Sequence, residues 1–360
     1  MALRKHLEIL QIMIVRLLQT LLIPLILISC STDRAVDNST EVSGANPDNN
    51  LLFDNEESHS LESPEQIRVF GEVKEEVNIS FADLDLRSLV VKEVLPEAGK
   101  RVFKGAFRYD GYSLEDILAD VELDKKSGFN PVSDLYVKVH GSDGTHTVVS
   151  WGEIFYPVHH HLQLIAVRVA RHVPFKTPDV QYTLPVTSSL VIGNDLLTCR
   201  NIDEPVAIEI CSYQGDFREV EMEDLYWPTL TLEGFDDNTI TLEELPSELP
   251  GREADLIFYG RGRGIHDVEP FDGHYLSELL EMHSSPGHEN LKTGIIIASA
   301  PDAYRSVFSY SEIMNRNDRL ESLIIDEENF KREGRFSLII PGDFFSDRAM
   351  KALWKLELVK

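Results

Sequence analysis

The most chemically pointed stretch of the chain is Gly260-Arg261-Gly262-Arg263-Gly264. Glycines let a backbone turn its N–H groups to one side, and arginines add forked, charge-assisted donors. Such a loop could cradle a phosphate, a sulfate or a carboxylate. Gly260, Arg261, Gly262, Arg263 and Gly264 are therefore the candidate anion-binding residues. The competing reading pairs the two arginines with Asp267, Glu269 or Asp272 nearby.

Other residues of catalytic type read as structural. His159, His160, His161 and His172 form the densest histidine group. Three adjacent histidines cannot all face one ion, and no Asp, Glu or Cys lies among them, so they read as a polar loop and no metal is expected. Ser150 with Glu153, and Ser309 with Glu312, have the spacing of a capping box at a helix start. That accounts for both pairs without a nucleophile or a base. Asp195 with Arg200, and Asp343 with Arg348, suit turns held by an internal ion pair. Cys199 and Cys211 bracket a turn and a strand and read as two separate thiols.

These residues sit in a pattern that occurs twice. Ser189–Ile210 aligns without a gap with Ser337–Leu358, matching Ser, Leu, Ile, Asp, Arg and Glu at equal spacing. Upstream, Asp143–Ile154 aligns with Asp302–Ile313, Gly111–Leu114 with Gly273–Leu276, and Ile79–Leu84 with Ile240–Leu245. Four blocks recurring in one order indicate a tandem duplication.

The elements that must position these residues are short. Leu135–His140 alternates as a strand, Ser142-Asp143-Gly144 is a turn, and Thr145–Ser150 is the next strand. Ser113 caps a helix predicted over Leu114–Val121, with Glu115 and Asp116 in its first turn. Ser80 caps a shorter one over Phe81–Leu86. Mixed strands and short helices predict an α+β class, with two tandem copies of mixed sheet.

The 360 residues fit about two domains, from a norm of roughly 100–200 residues each. Hydrophobic content of 42% is enough to build ordinary cores. The net charge of -27 argues against nucleic acid as a partner, since phosphate neutralisation needs Lys and Arg. A small anion held by local arginines is still compatible with it.

At the N-terminus, basic residues precede an apolar run, Leu17–Ile28, that is short for a membrane span. It ends in Leu27-Ile28-Ser29-Cys30, which resembles a bacterial lipobox. Cys30 is then the expected lipidation site and the membrane is a partner through that lipid. Ser31 and Thr32, rather than Asp, point to the outer membrane of a Gram-negative envelope. Residues 31–65 are acidic and polar and read as a disordered tether. The expected division is a signal over 1–30, the tether over 31–65, and copies over 66–222 and 223–360.

Taken together, the blocks resemble the sulfite-oxidase-like, molybdopterin-binding oxidoreductase domain. The resemblance rests on Phe271-Asp-Gly273 with Leu276, Asp302-Ala-Tyr304, Leu338-Ile-Ile-Pro-Gly-Asp343, Arg348 and Trp354. In the first copy it rests on Gly111-Tyr-Ser-Leu114, Asp143-Gly144, Asp195 and Arg200, with Gly193-Asn194 replacing Pro-Gly. It implies molybdopterin and a cysteine thiolate on molybdenum, in the loop that corresponds here to Phe103–Asp110 or Phe258–Asp272. Neither segment contains cysteine. The N-terminus also lacks the twin-arginine signal by which such enzymes are exported folded. The expectation is a non-catalytic binding or scaffold module of the envelope, with a small anion or an envelope protein as partner and no cofactor. A molybdopterin-dependent oxidoreductase with unusual ligation is the alternative.

Overall fold

In the computed structural model, the described residues are 58–173, 180–215, 217, 219–220, 226–235, 239–262, 264–284, 287–327 and 334–360. Cys30, the signal, most of the tether and Arg263 lie outside them.

The first half opens with β1 (His59–Ser60), β2 (Gln66–Gly71) and β3 (Val77–Ser80). A 3-10 turn over Phe81–Asp83 follows, with the Ser80 hydroxyl accepting from Ala82 N–H. β4 (Arg87–Glu97) and β5 (Lys100–Ser113) form a long hairpin that runs into α1 (Leu114–Leu118). β6 (Leu135–Gly141) and β7 (His146–Ser150) lead into α2 (Trp151–Phe155). β8 (Gln163–Arg171), β9 (Ser189–Ile192), β10 (Ile202–Asp203) and β11 (Pro205–Ser212) complete this half.

The second half runs β12 (Leu230–Glu233), β13 (Ile240–Leu242), β14 (Arg252–Ala254), β15 (Phe258–Gly260), β16 (Gly264–Asp267) and β17 (Phe271–Tyr275). Two helices, α3 (Leu276–His283) and α4 (His288–Thr293), precede β18 (Ile295–Ser299) and β19 (Arg305–Ser309). Then come α5 (Tyr310–Met314), β20 (Leu323–Asp326), β21 (Phe336–Ile339) and β22 (Lys355–Val359).

The α+β expectation is overturned. The described residues are mostly β, 45% strand against 13% helix, in five small sheets. The capping serines do start helices where expected, but the helices end early. The one predicted over Leu114–Val121 stops at Leu118 after five residues. Such pieces join strands; they do not make a layer. The alternation of β6, buried at every second residue, is the pattern that prevails.

Strand order recurs between the halves. One five-stranded sheet runs β3-β2-β11-β6-β7 and another β13-β12-β22-β18-β19. Each has one parallel pair at the same place, β2 with β11 and β12 with β22. The remaining large sheets share the run β9-β8-β5-β4 and β21-β20-β17-β14. Gly71 and Gly234 close β2 and β12 at φ of 102° and 79°. A Cβ at either would meet the carbonyl oxygen of Ile210 or of Leu358 at 2.3 Å, so neither position admits a side chain.

Two departures matter below. The stretch read as a tether is ordered by its end: β1 pairs with β8, and Leu61 is buried against Val91, Tyr109 and Val169. The second half departs from the first where β14, of three residues, stands in place of the eleven-residue β4. Val148 packs with Ile295, Ile297 and Val307, so the two five-stranded sheets share one apolar contact.

Candidate functional site

The recurring Ser, Glu, Asp and Arg residues meet in one buried cluster at the contact of the halves. Arg200 grips Asp195 by two hydrogen bonds, Nε to Oδ2 at 2.8 Å and Nη2 to Oδ1 at 2.6 Å. Arg348 grips Asp343 through the same atoms at the same distances. Each third nitrogen turns to a glutamate, Arg200 Nη1 to Glu153 Oε1 and Arg348 Nη1 to Glu312 Oε1, both at 2.5 Å. The second contact is an ion pair without hydrogen-bond alignment. Both guanidinium groups are fully buried. Gly152 makes room for one of them, because a Cβ there would lie 2.4 Å from Arg348 Nη1.

The capping serines cross between halves. Ser150 accepts from the Glu153 N–H at 3.0 Å, and Ser309 from the Glu312 N–H at 3.0 Å, as their spacing predicts. Their hydroxyls then donate outward, Ser150 to Glu312 Oε2 at 2.7 Å and Ser309 to Glu153 Oε2 at 2.8 Å. Each hydroxyl also accepts from the opposing arginine, Ser309 from Arg200 at 2.9 Å and Ser150 from Arg348 at 3.4 Å. With one donor and two lone pairs all engaged, neither serine keeps capacity for nucleophilic attack. The backbone crosses too. Val158 N–H donates to Gly342 O and Phe344 N–H to Tyr156 O, while Leu196 N–H donates to Asn315 O and Asn317 N–H to Asn194 O.

Burial pushes the Glu153 carboxyl up to about 7; Arg200 pulls it down, and Glu312 and Asp195 push it further up. Burial likewise raises Asp195 and Asp343 against the pull of their arginines. Burial opposes the charge on Arg200 and Arg348, yet the carboxylates around each hold it above the ordinary arginine value. A void of about 10 Å³ touches Glu153, Glu312, Asp343 and Arg348. That is room for one water at most, so no substrate fits there.

The glycine–arginine loop has become the β15–β16 hairpin. Gly260 ends β15, and a Cβ there would lie 2.3 Å from His266 Nε2; this glycine seats an imidazole. Gly264 opens β16 at φ 78°, and Gly262 faces open space. Arg261 neither points into a nest nor pairs with Asp267, Glu269 or Asp272. It forms an ion pair with Asp347 at 2.8 Å and lies over the Phe345 ring at 5.2 Å. Its charge is thus already matched by a carboxylate from far along the chain.

Phe258, His266 and Asp267 of this hairpin line a cleft of about 540 Å³. Phe258, Phe271, Ile325, Leu338, Ile339 and Met350 give it apolar walls. His266, Asp267, Asp302, Tyr304, Glu327 and Lys351 supply its polar groups. The Phe258 ring meets His266 at 5.6 Å and Phe271 at 5.7 Å. Asp302 Oδ1 accepts from the Tyr304 N–H at 3.0 Å, which leaves the other carboxylate oxygen outside that turn. Size and lining both suit a small-molecule site. Sequence reasoning saw Asp302 and Tyr304 only as part of a repeated block and of the family resemblance and missed the cleft; the aromatic residues flanking the Gly/Arg run were the available signal.

The histidine block turns to carboxylates. His160 Nδ1 lies 3.0 Å from Glu115, and His161 Nδ1 lies 3.3 Å from Glu115 and 3.0 Å from Ser113 Oγ. Among the described residues, no group of three or more His, Cys, Asp or Glu is placed to hold a metal ion.

The segments that the resemblance assigns to a molybdenum thiolate hold no such donor. Phe103–Asp110 lies within β5, and Phe258–Asp272 spans the β15–β16 hairpin. The described cysteines lie elsewhere, and both are free thiols. Cys199 packs against the second-half core. The Cys211 thiol is pushed up to about 12, by burial first and by Glu209 next. This donor set does not fit the group, and no chemistry is derived through it.

No family model and no curated protein matches the chain. The resemblance therefore rests on the motifs alone. Among the described residues, no helix is long and apolar enough to cross a membrane.

Proposed function

We propose that this chain is a non-catalytic binding module of the bacterial cell envelope, tethered by lipid at Cys30, with its ligand seated in the cleft under the β15–β16 hairpin. The observation that carries this reading is the saturation of the buried cluster. The serines, glutamates and arginines that could have done chemistry are spent on one another, with no space for a substrate. The cleft, in contrast, offers an apolar floor, a polar rim and a volume of about 540 Å³. Binding without covalent chemistry needs nothing more. The anchor is supported by the Leu27-Ile28-Ser29-Cys30 motif.

Ser337 lines the cleft from β21, so Ser337→Trp should fill it. A small-molecule screen read by thermal shift should yield ligands that stabilise the wild type. A ligand at a hundred times its Kd adds about 2.7 kcal/mol. The same ligands should leave Ser337→Trp unmoved; equal stabilisation of both would place binding elsewhere.

The anchor has its own test. Cys30→Ser should move the protein from the membrane fraction to the soluble fraction. If the variant still sediments with membranes, the attachment is not at Cys30.

A further inference from the structure

We infer that the cleft under the β15–β16 hairpin selects a small organic cation carrying an apolar body. This rests on the reading of the cleft as the binding site and names the chemistry of what binds. Three features converge on it.

The first is charge. Among the described lining residues, three carboxylates, Asp267, Asp302 and Glu327, stand with one ammonium, Lys351. The whole chain carries 61 acidic against 34 basic residues, so the background field has the same sign as the local one. The second is the neighbouring cation. Arg261 is on the hairpin, but Asp347, 2.8 Å away, matches its charge. It does not offset the rim. The third is the wall material. Phe258, Phe271 and Tyr304 line the cleft together with the His266 imidazole. Aromatic faces attract an alkylated ammonium through their quadrupole, and such a cation loses little hydration on entering. An inorganic cation would gain nothing from the apolar floor. An anion would meet three like charges.

Three probes of one shape and different charge separate the possibilities: benzyltrimethylammonium, benzyl alcohol and phenylacetate. Binding is measured by calorimetry or by ligand-observed NMR on the intact mature protein. The cation should bind about tenfold more tightly than the neutral alcohol, and phenylacetate more weakly than either. The preference for the cation should shrink as salt is raised. The double variant Asp267→Asn and Asp302→Asn should remove most of that preference while leaving benzyl alcohol binding unchanged. Both substitutions keep an oxygen that can accept the local backbone N–H bonds.

Cation and alcohol binding equally well, or phenylacetate binding best, would overturn the cation inference and leave the cleft as a site for something else. If none of the three binds, and Ser337→Trp changes nothing, the cleft reading falls and this inference with it.

Discussion

Arg348→Met should lower the unfolding free energy by roughly 3–5 kcal/mol, the cost typical of removing one partner from a buried ion pair. The residue lost is a guanidinium with about 1% of its side chain exposed. Asp343 and Glu312, each 2% exposed, would be left facing one another without their cation. The adjoining void of about 10 Å³ admits one water at most, which does not replace a charge. Ser150 would also lose a contact, though it keeps the Glu312 carboxylate and the Glu153 N–H. Equilibrium denaturation measures the effect. Replacing Arg348, Asp343 and Glu312 together by apolar residues of similar size should recover much of the loss, because the burial cost of the carboxylates disappears with them. A loss below about 1 kcal/mol in the single variant would mean that the cluster is wetter than its geometry allows.

Stability should fall as pH rises from about 4.5 to about 7. Glu153 carries this window: its ordinary value is 4.5 and burial pushes it up to about 7. Between those values the folded chain holds a proton that the unfolded chain has released, so raising pH favours unfolding. The cost is absent below the unfolded value and complete above the folded one. Two and a half pH units at 1.36 kcal/mol each give on the order of 3 kcal/mol for this residue. Asp195 and Asp343 are raised by burial and act in the same direction. His146 opposes it. Burial, with Lys138 and His140, lowers its value from 6.5, so its contribution is lost as pH falls. It is only partly enclosed and counts for less. Asp318 and Asp143 are held below the carboxylate range, Asp318 by Arg316 against the pull of burial and Asp143 by Thr145. Their contributions vanish only under more acid conditions. The optimum should therefore lie near pH 4.5, and Glu153→Gln should flatten the slope above it. A profile that rises from pH 4.5 to 7 in the wild type would reverse the assignment.

How much of this was legible beforehand follows from what spacing encodes. The distance from Ser150 to Glu153, and from Ser309 to Glu312, encodes a helix cap, and both caps form. The five-residue step from Asp195 to Arg200, and from Asp343 to Arg348, encodes a turn closed by an ion pair, and both pairs close. Spacing within one half says nothing about which way a carboxylate faces. The exchange of Glu153 with Ser309 and of Glu312 with Ser150 was therefore invisible, although it is one of the links that join the halves. The class was misread because cap signals mark where helices start and not how far they run. Leu118 ends α1 where the apolar pattern would have carried it to Val121. The partner of Arg261 was out of reach for a similar reason. Its neighbours in sequence, Asp267 and Glu269, were the natural partners, but the hairpin turns it toward Asp347, a residue brought near by the 3-10 turn Ser346–Arg348. The cleft was missed because its walls come from β15, β16, β17, β20 and β21 together, and the aromatic residues beside the Gly/Arg run mark only one of them.

The central claim is that the recurring Ser, Glu, Asp and Arg residues form one clamp serving both halves and do no chemistry of their own. Amide hydrogen exchange on Arg348→Met tests this most directly. Arg348 belongs to the second half, yet its guanidinium lies against Gly152 and Ser150 in the first. The account predicts that protection falls in β6, β7 and α2 as well as in β18, β19 and α5. Loss of protection confined to the second half would show that each half holds its own charges, and would contradict the shared clamp.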